Sequence, residues 1–302
     1  MDNKPVLHEV VTAWTVPLFI VVIIALVAQN ISQFLILPVL TNTLGKRLKF
    51  MESLQVGAVS SFLSAIGPLQ AGLAYKAVFL KLYKQFSASD IVGLILMQKV
   101  LRILLCVTGA TWGWLMLEPM HISLQAYELP EVAPWVPSTL LVLLVFIGLV
   151  IAAFSYRNDV SRINSFFSAL KSFHTDLMGG LARMLEHPGS MVVVIVLHAL
   201  NLSVNALVFY LLLQASGYMV PIGLLVVYSC IKYLANIVTI LPANLGVSEL
   251  LTGMLAIVLG ADIALGIAIA LQVRILNLLL LALASGVLMF VSGHNKEAGA
   301  DA

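Results

Sequence analysis

The chain has 302 residues, 61% of them hydrophobic and 10% charged, with a mean hydropathy of +1.05. Soluble domains run at about 45–50% apolar and about 25% charged, and a single core stops growing near this chain length, so the excess cannot be hidden. Composition excludes a soluble enzyme, a nucleic-acid binder and a disordered chain, and leaves an integral membrane protein; its net charge of +2 decides nothing as a total.

The apolar runs are long and unbroken, which makes them helices rather than the short alternating strands of an outer-membrane barrel. The first covers 14–40. Lys4 stands against Asp2 and Glu9 in its leading flank and no small-residue cleavage site follows, so it reads as a retained span and not a signal peptide. Further runs cover 54–80, 90–117, 136–154, 190–214, 219–241, 246–260 and 263–291. Several fall short of the roughly 20 residues that a full span needs. Segment 155–189 carries Phe166, Leu170, Phe173, Leu177, Leu181 and Met184 at helical spacing. It is an amphipathic helix that either lies on the inner membrane surface or caps the underside of the bundle. No polar stretch is long enough for a second domain, so 1–302 is one polytopic unit. Cys106 and Cys230 both fall in apolar runs and read as reduced core residues.

Loop charges orient the spans. Lys46, Arg47 and Lys49, then Lys76, Lys81 and Lys84, then Arg157, Arg162, Lys171 and Arg183 mark cytoplasmic segments. Loop 118–135 has Glu118, Glu128 and Glu131 and no Lys or Arg, which places it outside. Both ends of 54–80 then face the cytoplasm, so that run is a re-entrant pair of half-helices broken at Gly67-Pro68.

The chain also resembles itself. Asn30-Ile31-Ser32 returns as Asn201-Leu202-Ser203, Pro68 with Gly72 as Pro242 with Gly246, Asp90-Ile91 as Asp262-Ile263, and Arg102-Ile103-Leu104 as Arg274-Ile275-Leu276. The order is the same in both copies and the spacings nearly so. The predicted fold is all-α: an inverted repeat of span, re-entrant hairpin and span, over 14–117 and 190–291, linked by one extra span at 136–154 and the segment 155–189. This gives five full spans and two hairpins, with the N-terminus outside and the C-terminus in the cytoplasm of a multi-pass cell (inner) membrane protein. The alternative makes 219–241 and 246–260 full spans, for seven spans among seven to eight apolar segments. The hairpin tips Gly67, Pro68, Gly72, Pro242 and Gly246 interrupt helices, and broken helices inside lipid expose backbone groups suited to an ion or a headgroup.

An ionisable residue deep in a span costs roughly 2.5–3.5 kcal/mol on the lenient insertion scale, which makes it a functional candidate. Lys99, Arg102, Lys232, Glu249 and Arg274 sit inside apolar runs, and Lys76 lies on the first hairpin. The excess of cations points to an anionic guest such as a phosphate headgroup; pairing of Glu249 with Arg274, and snorkelling of Lys76, Lys81 and Lys84 to the interface, are the alternatives. Gln29 and Gln33 share one helix face, and His198, Asn201 and Asn205 share another. These stripes bind substrate or, more often, tie helices together. No metal-ligand cluster, phosphate loop or catalytic constellation is visible, so neither catalytic residues nor cofactor nor metal is expected.

Two patches resemble the transmembrane, flippase-like region of lysylphosphatidylglycerol synthases and their stand-alone relatives. One runs from Pro68 through Lys84 and on to Arg102, with Ala71-Gly72 and Lys76. The other is Leu241-Pro242, Leu245-Gly246-Val247 and Glu249, followed by Gly260 and Arg274. This chain departs from the family pattern at Lys76, Gln98-Lys99, Ala243-Asn244 and Ser248, changes that make the site less acidic. The resemblance implies binding of a membrane lipid, or its movement between leaflets, by a chain that lacks the soluble aminoacyl-transferase domain and is not itself an enzyme. Two other classes stay open: a membrane enzyme on a lipid-linked substrate, and a non-transporting subunit that docks a lipid-modifying enzyme partner through 155–189. A homo-oligomer is also left open, and nucleic acid is not a partner.

Overall fold

The computed structural model describes residues 15–67, 71–117, 160–236 and 246–297. Every element among them is a helix: α1 (Val16–Thr43), α2 (Phe50–Ile66), α3 (Ala71–Lys84), α4 (Ala88–Leu117), α5 (Val160–Leu185), α6 (Pro188–Ala215), α7 (Ile222–Ala235), α8 (Val247–Val258) and α9 (Ile263–Glu297). The chain is a multi-pass membrane protein. Four helices, α1, α4, α6 and α9, are long and apolar enough to cross a bilayer, and they match four of the five expected spans. The fifth, 136–154, lies outside the described residues, as do Pro68 and Pro242.

Local chemistry sets the helix ends. Pro17 and Pro188 occupy the first turns of α1 and α6, where a missing N–H costs nothing. The amphipathic segment expected over 155–189 therefore ends at Leu185, because Pro188 opens the next helix. Pro38 stays inside α1. It has no N–H for the Phe34 carbonyl one turn earlier, and that carbonyl accepts the Ser53 hydroxyl of α2 at 2.7 Å instead.

The runs at 54–80 and 219–260 each resolve into two helices shorter than a span. α3 folds back on α2, and Gly72 is where they meet. A Cβ there would fall on the Ser60 carbonyl oxygen and the Ser64 hydroxyl, so only glycine permits the approach. In the second pair Tyr228 on α7 and Thr252 on α8 join hydroxyls at 2.7 Å.

Packing is reciprocal. α1 runs along α6; α4 lies on α7, the first arm of the second pair, and α9 lies on α2, the first arm of the first pair. Among the described residues four apolar clusters result, two of them large. One gathers Val22 and Leu26 of α1 with Phe209, Leu213, Leu255 and Ile269. The other gathers Ile36 and Leu40 of α1 with Val56, Leu80, Leu94 and Met184. Along α1 the interval from Leu26 to Ile36 is about 15 Å at the standard helical rise, and it contains Gln29, Asn30 and Gln33. In the same interval Phe34 packs with Ala58 and Leu281 in a smaller apolar cluster beside these polar side chains.

α5 resolves one expectation over its described side chains. Met184 is fully buried in the second core, Leu177 and Met184 approach Gly93 of α4, and Arg183 bridges Asp90 at 3.2 Å. This end of the amphipathic helix caps the bundle instead of lying free. The side chains of Phe166, Leu170 and Phe173 are outside the described set. On the outside of the bundle Ile24, Leu104, Val196, Leu283 and Val287 are exposed, a lipid-facing surface that a soluble protein would not tolerate.

Candidate functional site

Between the two cores lies a cavity of about 610 Å³, within the usual range for small-molecule sites. Four cations line it: Lys76 from α3, Lys99 and Arg102 from α4, and Arg274 from α9. Amide side chains line it as well, from Asn30, Gln33, Gln98, Asn236 and Asn277, together with the hydroxyls of Ser60, Ser61 and Ser64. Both halves of the chain contribute, because the last span of each half packs on the hairpin of the other.

The two arginines that repeat along the sequence are held differently. Arg274 is paired with Glu249 of α8. Glu249 is 7% exposed, and its second oxygen accepts the Gly246 N–H at 2.9 Å, which closes the first turn of α8. Gly246 has φ +87°, a left-handed conformation that costs other residues about 1–2 kcal/mol. Arg102 rests instead on an aromatic face: its guanidinium carbon is 4.5 Å from the Tyr233 ring centroid. The Tyr233 hydroxyl meets His198 Nδ1 at 2.9 Å. The Arg102 Nε is buried with no hydrogen-bond partner among the described residues, an unsatisfied donor beside a polar cavity.

The other predicted residues fall into place around this. Lys76 lines the cavity, so among the hairpin lysines it is not an interface anchor. Lys84 is paired with Glu52 at 2.7 Å, and Lys81 is exposed. Lys232 does not line the cavity; its ammonium sits 3.6 Å from the Phe209 centroid and 5.8 Å from that of Tyr228. Its position mid-run cannot reveal this, because the side chain leaves α7 on the face towards α6. Glu249 also stands behind the wall, reaching the cavity only through Arg274. The polar stripes divide. Gln33 lines the cavity, whereas Asn201 donates to the Gln29 carbonyl at 3.0 Å and ties α6 to α1. His198 is fully buried against Tyr233, and Asn205 is half-buried on α6. Gly67 closes α2 and Gly72 packs beside the cavity. Sequence reasoning misses Tyr233 and the three serines; a hydroxyl cluster at 60, 61 and 64 in an apolar run is the signal that was available.

Among the described residues, four long apolar helices and two pairs of short helices surround a cationic cavity, and the sequence match falls across this arrangement. A family model described as Lysylphosphatidylglycerol synthase TM region matches residues 5–285. The chain belongs to this family. No match was found among curated proteins or solved structures. For this lysylphosphatidylglycerol synthase TM-region protein the matched length takes in every residue of the cavity wall, so the cationic site belongs to the family portion of the chain. Among the described residues no group of three or more His, Cys, Asp or Glu is placed to hold a metal ion, and Cys106 and Cys230 are buried free thiols.

Proposed function

We propose that this protein is a flippase-like translocator that carries an anionic lipid headgroup between leaflets through the central cavity. Four cations around one chamber, with a single buried carboxylate behind one of them, carry the reading. Cations held at this depth are expensive unless something anionic offsets them. Lys76, Lys99 and Arg102 receive the phosphate, and Arg274 joins when the Glu249 contact opens. The acyl chains stay in lipid along the exposed apolar faces.

The reciprocal packing of the halves supports an inverted repeat that rocks about this site. In that reading the first hairpin opens to the cytoplasm, the second to the outside of the cell membrane, and the C-terminus is cytoplasmic. Transport, not aminoacyl transfer, is the role assigned to this chain.

Leaflet exchange in proteoliposomes tests the reading. Fluorescent phosphatidylglycerol is expected to exchange with wild type and to slow at least about tenfold with Arg102→Gln, the loss of one charge-assisted contact. Folded wild type that exchanges no anionic lipid would remove the translocator reading.

A further inference from the structure

We propose that the guest of the cavity is a phosphate bearing neighbouring hydroxyls, an unmodified polyol-phosphate headgroup, and that the cavity rejects the same headgroup once an aminoacyl cation is attached. The inference rests on the anionic-guest reading above and narrows it.

The wall chemistry carries the argument. Among the described lining residues there are four cations and no carboxylate. The nearest carboxylate, Glu249, has one oxygen on Arg274 and the other on the Gly246 N–H. An added ammonium would meet like charge and find no anionic acceptor. Elsewhere, Glu52 and Asp90 are tied to Lys84 and Arg183, and Asp262 accepts the Ala264 N–H at the start of α9. The described wall also has no aromatic side chain, which removes the usual seat for a quaternary ammonium.

What the wall offers besides positive charge is side chains that both donate and accept. A phosphate oxygen only accepts, so cations and N–H groups suffice for it. A hydroxyl needs a donor and an acceptor. Gln33, Gln98, Ser61 and Ser64 supply both within the same chamber as Lys76 and Arg102. A volume of about 610 Å³ holds a polyol phosphate and leaves the lipid tails outside.

Binding to the full-length protein in detergent, followed by native mass spectrometry and thermal shift, separates this inference from transport. The probes are short-chain phosphatidylglycerol, its lysyl ester, phosphatidylcholine and phosphatidylmethanol, which keeps the charge but lacks hydroxyls; soluble glycerol phosphate is the fifth. Phosphatidylglycerol is expected to bind at least about tenfold more tightly than the lysyl ester, phosphatidylcholine or phosphatidylmethanol. Gln98→Leu, which keeps every charge, is expected to close the gap between phosphatidylglycerol and phosphatidylmethanol. Equal or tighter binding of the lysyl ester overturns the inference, and so does equal binding of phosphatidylmethanol to wild type. Glycerol phosphate that binds as tightly as the lipid supports the chemistry and identifies a soluble guest. Selective binding without leaflet exchange upholds the inference while removing the translocator reading.

Discussion

Arg274 on α9 is paired with Glu249 on α8, and the same carboxylate holds the Gly246 N–H at the start of that short helix. One side chain therefore ties the cavity wall to the end of the second hairpin. A phosphate that competes for Arg274 would release Glu249 and loosen the start of α8, which would couple guest binding to that helix.

Removal of one partner strands the other. Arg274→Gln leaves a buried carboxylate with a single backbone donor, and is expected to lower stability by about 3 kcal/mol. Glu249→Gln should cost less, because an amide oxygen still accepts the Gly246 N–H and Arg274 faces the cavity. The double variant should be more stable than the sum of the singles predicts. Unfolding in detergent measures all three; single effects that add within about 0.5 kcal/mol would show that the pair is not coupled.

Gly72 decides whether the first hairpin closes. Gly72→Ala sets a methyl group against the Ser60 backbone carbonyl, which a side-chain rotation cannot relieve, and about 1–3 kcal/mol is the expected cost. Gly286→Ala on the exposed face of α9, with open space around its new Cβ, should be neutral or slightly stabilising. Equal melting temperatures for the two variants would contradict the close approach of α2 and α3.

Tyr233 is expected to act through its ring. Tyr233→Phe keeps the face on which Arg102 rests and loses the hydroxyl's contacts with His198 and Arg102. Phosphatidylglycerol exchange by that variant should stay within about threefold of wild type, whereas Tyr233→Leu should lower it about tenfold. Equal losses in both would assign the effect to the hydroxyl.

The base of each hairpin reports topology. Tyr83 in the last turn of α3 and Met219 before α7 are strongly exposed, at 64% and 86%. Single cysteines there, with the two native thiols buried, should react with a membrane-impermeant maleimide from opposite sides: Tyr83→Cys from the cytoplasm and Met219→Cys from outside. Labelling of both from one side would rule out inversion of the halves.

Most of the element plan was legible because lipid imposes it. A run such as 190–214 must be helical and long, since its backbone can be satisfied only internally, and α6 covers Pro188–Ala215. The short pair within 54–80 was legible from charge, because lysines at both ends of one apolar run exclude a single crossing. Four of the six proposed binding residues line the cavity for a similar reason: a cation in oil needs a polar surrounding. Lys232 and Glu249 were not legible at this level. A lysine mid-helix looks the same whether it faces a chamber or two aromatic rings, and only the rotation of α7 against α6 distinguishes them.

The sequence by itself determined a membrane protein of apolar helices, one of whose runs has cytoplasmic-type charge at both ends, with more cations than anions inside its apolar runs. These follow from hydropathy, length and the charge of loops, all local properties of the chain. Tertiary structure decided which cations share a chamber, that Glu249 is spoken for by Arg274, and that Arg102 rests on Tyr233. Those depend on helix rotation and on contacts between residues as far apart as 30 and 277. Apolar stretches leave such choices open, because lipid accepts any face of a hydrophobic helix and only packing against the other half selects one.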